Sequence, residues 1–256
     1  MSKLKQYAIC QLAVCPLRAV ASDEAEMVTQ LVFGDYVTIL EDGKPWIKIK
    51  NSADQYEGWM DFKQLKFIEE SEFLNGIKQT SVVVGNSQLL LEGPFGPLTI
   101  FLGASLPNFD GDNCMIGTDS YTLKNKLFNA KKSDIVALSK AYLNAPYLWG
   151  GKSLFGIDCS GLTQSVFKAI GVQVARDTSE QVKHGDTIKW EDRDVNDVVF
   201  YTTSSNRVTH VGILVHKNEI IHAHGRVRID KCDEKGIYNA EQDKYTHMHH
   251  SIKRWC

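Results

Sequence analysis

Several features that would indicate particular classes of protein are missing from this sequence. Its 29 Lys and Arg residues nearly balance 31 Asp and Glu residues, so it lacks the basic excess typical of nucleic-acid or membrane-surface binding. No apolar run reaches the roughly 20 residues that a membrane-spanning helix needs. The six cysteines form no CxxC pair and no His/Cys cluster with zinc-ligand spacing. We therefore expect no nucleic-acid or membrane partner, no metal and no cofactor.

The cysteines and the amino terminus bear on the cellular compartment. A chain of 256 residues does not need disulfide staples, so scattered thiols indicate reduced, buried side chains. The first 20 residues lack the apolar stretch of a secretory signal, because Lys5, Gln6, Gln11 and Arg18 interrupt it. We expect a cytoplasmic protein. If a native signal peptide has been removed, the expected location is the periplasm or cell envelope.

The distribution of apolar residues divides the chain into two parts. Up to about residue 126, short runs rich in β-branched and aromatic residues alternate with Gly, Asp and Asn, a pattern typical of small all-β units. In the first of these units, the alternation from Trp46 to Lys50 favours a barrel of about five strands. From residue 133 to 145 the apolar positions recur at helical spacing. A new domain is predicted to begin there.

The segment from Pro146 to Val172 contains a candidate nucleophile. Its apolar residues from Leu162 onward recur on one helical face, and Gly171 ends the helix. Cys159 then lies at the helix start, where backbone N–H groups and the macrodipole would stabilise a thiolate and lower its pKa from about 8.5. The alternative is an inert, buried Cys159 next to an N-cap Asp158.

Two histidines are predicted to meet on a hairpin. The segment VTHVGILVHKNEIIHAH has the pattern of two strands around a short polar turn. A three-residue loop centred on Lys217 would place His222 opposite Gly212, with His210 one diagonal step away on the same face. His210 could then deprotonate a thiol while His222 orients it. The alternative is that both histidines are polar residues on a solvent-facing surface.

Three motifs in this order resemble the NlpC family of bacterial cell-wall cysteine peptidases, a papain-like group. They are an aromatic-Gly-Gly loop, DCSG at a helix start, and an HVGI hairpin that ends in IHAH. The resemblance covers about residues 130–256. It implies an α+β fold, in which a papain-like catalytic domain packs the cysteine-bearing helix on an antiparallel sheet.

The resemblance also implies roles for individual residues. Cys159, His210 and His222 would be the nucleophile, the base and the orienting third member. Tyr147 would place its hydroxyl near the oxyanion, beside the backbone N–H of Cys159. Trp149 would form a wall of the substrate groove.

The first half resembles two bacterial SH3-like domains, and the whole chain is similar to a subgroup that cleaves small peptidoglycan peptides after γ-D-glutamate. The implied domains are an SH3-like domain at 1–68, a second at 69–126 and the peptidase domain at 127–256. Members of the subgroup act on murein peptides with a free N-terminal L-alanine. They release L-Ala-γ-D-Glu from the following diamino acid, lysine or diaminopimelate.

Matches to the subgroup imply a set of substrate-binding residues, which are Glu26, Tyr56, Asp158, Ser160, Asp177 and Thr178. A terminal ammonium needs an anionic partner, since an unpaired buried charge costs several kcal/mol, and Glu26 and Asp158 carry suitable carboxylates. A glycan-linked stem would present an amide there and leave the carboxylates unpaired. We therefore expect free peptides to be preferred, in a role in murein peptide recycling.

Three alternatives to this function stay open at this point. The protein could be an envelope endopeptidase that cuts stem peptides in the intact wall. It could be a non-catalytic wall-binding protein built on its tandem SH3-like modules. It could also be an acyltransferase, because a papain-like site does not decide whether water or an amine resolves the thioester.

Overall fold

The computed structural model describes residues 6–79, 82–202 and 207–256. Lys5, in the amino-terminal segment considered above, lies outside the described residues. The chain divides into two units, Met1–Ala130 and Lys131–Cys256. No helix within the described residues is long and apolar enough to cross a membrane.

A seven-stranded antiparallel sheet opens the first unit. Its described strands are β1 (Tyr7–Cys10), β2 (Val14–Arg18), β3 (Met27–Val32), β4 (Tyr36–Gly43), β5 (Trp46–Asn51), β6 (Glu57–Asp61) and β7 (Leu65–Ile68), in the order β3-β2-β6-β5-β4-β1-β7. Along β5, Ile47 and Ile49 are buried while Lys48 and Lys50 are partly exposed, which confirms the predicted alternation. The strand number is higher than the predicted five, because the four-residue β1 and β7 are too short to show a clear period.

The rest of the first unit adds a helix and further strands. They are α1 (Glu70–Lys78), β8 (Val82–Val83), β9 (Gln88–Gly93), β10 (Gly96–Phe101), β11 (Ser105–Leu106), β12 (Asn113–Ile116) and β13 (Asp119–Leu123). A four-stranded sheet has the order β10-β9-β13-β12, and β8 pairs with β11. One core cluster joins both parts of the unit, and in it Phe33 meets Tyr121 edge to face at 5.1 Å. The predicted boundaries at residues 68 and 126 remain predictions.

The second unit contains the predicted catalytic segment. Its elements are α2 (Ile135–Lys140), β14 (Lys152–Ser153), β15 (Gly156–Ile157), α3 (Cys159–Ala169), α4 (Thr178–Gln181), β16 (Asp186–Ile188), β17 (Val198–Thr202), β18 (Val208–His216), β19 (Glu219–His224), β20 (Arg226–Asp233), β21 (Gly236–Asn239) and β22 (Lys244–Arg254). Six of the described strands, β17 to β22, close an antiparallel barrel, because β22 pairs with both β17 and β21. Helix α3 packs against β18 and β19. A mixed α+β fold is confirmed.

Alternation along the barrel strands determines where the histidines lie. Tyr201, Leu214 and Ile220 belong to the apolar cluster of the barrel. His222 follows Ile220 at a spacing of two, so both side chains lie on one face of β19. His210 pairs with Tyr201 across β17 and β18. The fold therefore brings both predicted histidines to one face of the sheet.

Candidate active site

Helix α3 begins at Cys159, as predicted, because Asp158 caps it. Asp158 has an extended backbone, and its Oδ1 accepts a 2.7 Å hydrogen bond from the N–H of Gly161, which satisfies one of the free donors of the first turn. The thiol of Cys159 is almost completely buried. Its Sγ lies 3.9 Å from Oγ1 of Thr178 and accepts a hydrogen bond from the backbone N–H of Val211. The nucleophile candidate therefore lies next to the strand that carries His210.

The two histidines meet on the hairpin as predicted. Gly212 pairs with His222, and Nε2 of His210 lies 2.8 Å from Nδ1 of His222. The predicted three-residue loop is wrong. The strands are joined by the two residues Lys217 and Asn218, and an irregularity between Leu214 and His216 absorbs the extra residue. Because a bulge adds one residue to one strand, the register at His222 is the same in both cases.

Beyond the predicted residues, the hydrogen-bonded series continues to Asp230. Nε2 of His222 lies 3.0 Å from Oδ2 of Asp230. Arg228 contacts both oxygens of that carboxylate, at 2.8 Å through Nε and 2.9 Å through Nη2, and it also reaches Glu241. Sequence reasoning missed Asp230 and Arg228. The signal was the alternation in RVRID, which places the two charged side chains on the face that His222 occupies in the paired strand.

Burial dominates the proton affinities in the site. Burial and the Asp158 carboxylate raise the pKa of Cys159 to about 11, although the Thr178 hydroxyl and the Val211 N–H partly oppose this. Burial and the neighbouring histidines hold the pKa of His210 well below its ordinary value. The predicted lowering of the thiol pKa is therefore wrong for the free enzyme, since desolvation of the charged form outweighs the helix start. At neutral pH, the thiol of Cys159 and the imidazole of His210 are therefore both uncharged.

Asp158 and Ser160 form a buried network with Arg176. Nη2 of Arg176 donates to Oδ2 of Asp158 at 2.6 Å, and Nη1 donates to Oγ of Ser160 at 2.7 Å. The N–H of Gly150 also donates to Oδ2, at 2.8 Å. This network links the loop before α3 to the segment before α4. Arg176 was missed from the sequence, and a substrate-binding role for Asp158 and Ser160 remains a prediction.

Helix α4 places Thr178 beside the nucleophile. Thr178 is buried, whereas Asp177, immediately before the helix, is exposed. Gln181 anchors α4, since its Oε1 accepts from Oγ1 of Thr163 at 2.8 Å and its Nε2 donates to the carbonyl of Ser160 at 3.0 Å. The structure therefore brings Thr178 to the thiol. The roles of Asp177 and Thr178 in substrate binding remain predictions.

Tyr147 and Trp149 lie on the loop before β14, and both are exposed. The N–H of Tyr147 donates to the carbonyl of Gly225 at 2.9 Å, which ties the loop to the end of β19. Burial of the hydroxyl, Cys159 and Asp158 together raise the pKa of Tyr147 to about 12. Tyr147 therefore keeps its proton at neutral pH and can donate a hydrogen bond.

The remaining predicted residues lie in the first unit. Glu26 is exposed immediately before β3, and Tyr56 packs partly buried against the core of the seven-stranded sheet. Their roles in substrate binding remain predictions.

A further histidine, which sequence reasoning missed, stacks on the proposed base. The ring of His247, on β22, lies 4.1 Å from that of His210 with an interplanar angle of 25°. Burial, His222 and His224 lower the pKa of His247 to about 3. A second neutral ring therefore covers the base, and nothing in the local sequence pattern links β22 to β18.

Two family models match the chain. Residues 144–246 match the NlpC/P60 family, and residues 17–65 match the bacterial dipeptidyl-peptidase SH3 domain. The chain carries an NlpC/P60 domain behind a bacterial SH3 domain. The resemblance drawn from the sequence motifs is confirmed, and the carboxy-terminal unit is a cysteine peptidase domain of the NlpC/P60 family.

Similar proteins align over about three quarters of the chain. A protein from Bacillus cereus named gamma-D-glutamyl-L-lysine dipeptidyl-peptidase is 26% identical over 226 residues, which are 77% of this chain and 67% of the relative. A protein of the same name from Bacillus subtilis is 27% identical over 222 residues, with coverages of 76% and 71%. The crystal structure of an NlpC/P60 family protein from Bacillus cereus has a TM-score of 0.80 at 20% identity and covers 97% of this chain and 99% of its own. It shows the same fold.

Proposed function

We propose that the protein hydrolyses the γ-D-glutamyl–L-diamino acid bond of peptidoglycan peptides that have a free N-terminal L-alanine, and that it releases L-Ala-γ-D-Glu for recycling. The observation that carries this proposal is the buried Cys159 at the start of α3, beside a hairpin on which His210 and His222 are 2.8 Å apart. The two Bacillus relatives named for this activity support the choice of substrate. A cytoplasmic location is part of the same proposal.

In the proposed reaction, His210 takes the proton of Cys159 as the thiolate attacks the γ-glutamyl carbonyl. Both groups start neutral, so the base acts during attack rather than in a preformed ion pair. The backbone N–H of Cys159 and the hydroxyl of Tyr147 would donate to the oxyanion. The imidazolium then protonates the leaving amine, which breaks the C–N bond and leaves a thioester. Water, deprotonated by His210, releases the dipeptide and restores the thiol.

Preference for a free α-ammonium is assigned in this proposal to Glu26. The other acidic candidate, Asp158, already accepts from two backbone N–H groups and from Arg176. A carboxylate has about four acceptor positions, so Asp158 has little capacity left and its charge is balanced by a buried guanidinium. In this proposal, the carboxylate of Glu26, taken from the match to the subgroup, contributes the charge that distinguishes an ammonium from an amide.

Turnover of L-Ala-γ-D-Glu-L-Lys and its N-acetylated form tests the proposal. Acetylation removes the charge-assisted hydrogen bond that the ammonium makes, which should cost about 1.5–3 kcal/mol, or roughly ten- to a hundredfold in kcat/KM. Glu26→Gln should slow cleavage of the free peptide and reduce the ratio of kcat/KM between the free and the acetylated peptide. Glu24→Gln, two residues earlier on the same exposed segment, is the matched control and should leave that ratio unchanged.

Two outcomes would contradict this proposal. Equal rates on the free and acetylated peptides would remove the role of the ammonium. In purified sacculi, cleavage of the same bond would leave L-Ala-γ-D-Glu on the glycan and free the amino group of the diamino acid. Cleavage there at a rate comparable to that of the free peptide would favour an enzyme that acts on the intact wall. A fold merely weakened by Glu26→Gln would slow both peptides equally.

A further inference from the structure

His222 is enclosed by hydrogen-bond partners at both ring nitrogens. Its side chain has no exposed surface. Nδ1 faces Nε2 of His210 at 2.8 Å, and Nε2 faces Oδ2 of Asp230 at 3.0 Å. Burial also lowers the pKa of His222 in spite of the neighbouring carboxylate, so the ring is neutral and holds one proton. A neutral imidazole donates from one nitrogen and accepts at the other, and its partners decide which.

Asp230 is held as an anion that can only accept. Burial alone would raise the pKa of Asp230, but hydrogen bonds from His222 and Arg228 lower that pKa below its ordinary value. Arg228 contacts both carboxylate oxygens at 2.8 and 2.9 Å, and its charge balances that of Asp230. The carboxylate therefore needs no proton from His222 to be neutralised. It keeps its acceptor sites for the Nε2–H of that ring.

We propose that Asp230 is a positioning residue that fixes the tautomers of both His222 and His210. Because Asp230 accepts from Nε2 of His222, that nitrogen carries the proton and Nδ1 is bare. The bare Nδ1 accepts from Nε2–H of His210. Nδ1 of His210 is then left with its lone pair, which can receive the thiol proton. The Asp230 carboxylate, which reaches His210 only through His222, therefore determines which ring nitrogen carries the proton in both histidines.

Without Asp230, nothing in the pair itself selects this arrangement. The opposite tautomers satisfy the His210–His222 hydrogen bond equally well, but they place a proton on Nδ1 of His210, where a base needs a lone pair. Asp230→Asn retains the shape of the side chain, yet its amide can donate to Nε2 of His222 and so reverse both tautomers. The expected result is a kcat at least about a hundredfold lower, with KM within about threefold of the wild type.

The test combines kinetics with histidine ¹⁵N spectra of the substrate-free enzyme near pH 7.5. In the wild type, His210 and His222 should both be protonated on Nε2 only. In Asp230→Asn, both should shift toward protonation on Nδ1. The matched control is Asp233→Asn on the same strand, whose carboxylate bonds Tyr245 and the backbone N–H groups of Lys235 and Gly236. It should retain kcat within about threefold and leave the spectra unchanged.

Several results would overturn the proposal. The first is a wild type in which His222 is protonated on Nδ1 or on both nitrogens. The second is a kcat of Asp230→Asn within about threefold of the wild type. The third is a slow Asp230→Asn variant whose tautomers are unchanged, which would indicate a structural role only. The wild-type spectrum tests the predicted tautomers even if the variant does not fold. The kinetic arm rests on the proposed function, but the tautomers do not. A wild type that has the expected tautomers and cleaves no γ-glutamyl peptide would contradict the function and leave this inference intact.

Discussion

The ion pair between Asp158 and Arg176 allows a quantitative test of how the active-site loops are held. The two side chains are only 7% and 1% exposed, and their closest oxygen and nitrogen are 2.6 Å apart. Arg176→Met keeps most of the side-chain volume but removes the charge. The variant therefore leaves the Asp158 carboxylate buried without its cation, at the N-cap of the helix that carries the nucleophile.

Removing one partner of a buried pair typically destabilises a protein by about 3–5 kcal/mol, because the remaining charge is uncompensated. We expect Arg176→Met to lose that amount of unfolding free energy. The double variant with Asp158→Asn should recover much of the loss, since Asn removes the charge and is an equally good N-cap. The exposed pair of Lys183 and Glu180, 2.7 Å apart with side chains 65% and 54% exposed, is the control. Lys183→Met should cost no more than about 1 kcal/mol.

Urea unfolding followed by circular dichroism measures all four free energies. The midpoint and slope must both be fitted, because a change in slope would show that the transition is no longer two-state. A loss below about 1 kcal/mol in Arg176→Met would refute the reasoning, as would a double variant less stable than the single one. Equal losses in Arg176→Met and Lys183→Met would show that burial is not the deciding factor.

The remaining predictions concern the reacting residues. In peptide cleavage assays, Cys159→Ala and His210→Ala should each remove nearly all activity. His222→Ala should leave measurable residual activity, and His224→Ala should reduce activity least. Wild-type rates after His210→Ala would contradict the assignment of the base. Alkylation of Cys159 by iodoacetamide should quicken as pH rises toward the thiol pKa of about 11, and a plateau between pH 6 and 8 would instead reveal a preformed ion pair. The free energy of unfolding should fall as the pH drops below 6.5 toward the pKa of about 3 for His247, because the histidines then bind protons in the unfolded chain but not in the folded one. Urea midpoints that do not change from pH 7 to pH 4 would argue against neutral buried rings.

Local patterns in the sequence predict the elements that present the nucleophile and the base. The start of α3 follows from the capping preference of Asp158 and the apolar face that begins at Leu162, both of which act within one or two helical turns. The pairing of Gly212 with His222 follows from a short turn and a period of two. The two-residue turn and the bulge were missed, but the register at His222 is as predicted, because the extra residue in the bulge compensates for the shorter turn.

The electrostatics of the site could not be predicted in the same way. A helix start lowers the pKa of an exposed thiol, but Cys159 is buried, and burial depends on the segments packed around it. Asp230, Arg176 and His247 were missed for a related reason. Each makes its contact with the site from a different strand or loop, and the contact exists only once the chain has folded back on itself.

The sequence by itself therefore determined the order of the motifs, the helix that begins at Cys159 and the hairpin that joins His210 to His222, because capping, period and turn length are properties of adjacent residues. Only the tertiary structure decided that the thiol and the imidazole are neutral, that Asp230 lies behind His222, and that Arg176 balances Asp158. Those results depend on desolvation and on contacts between residues far apart in the chain. Strand β22, which closes the barrel by pairing with both β17 and β21, also places His247 against His210.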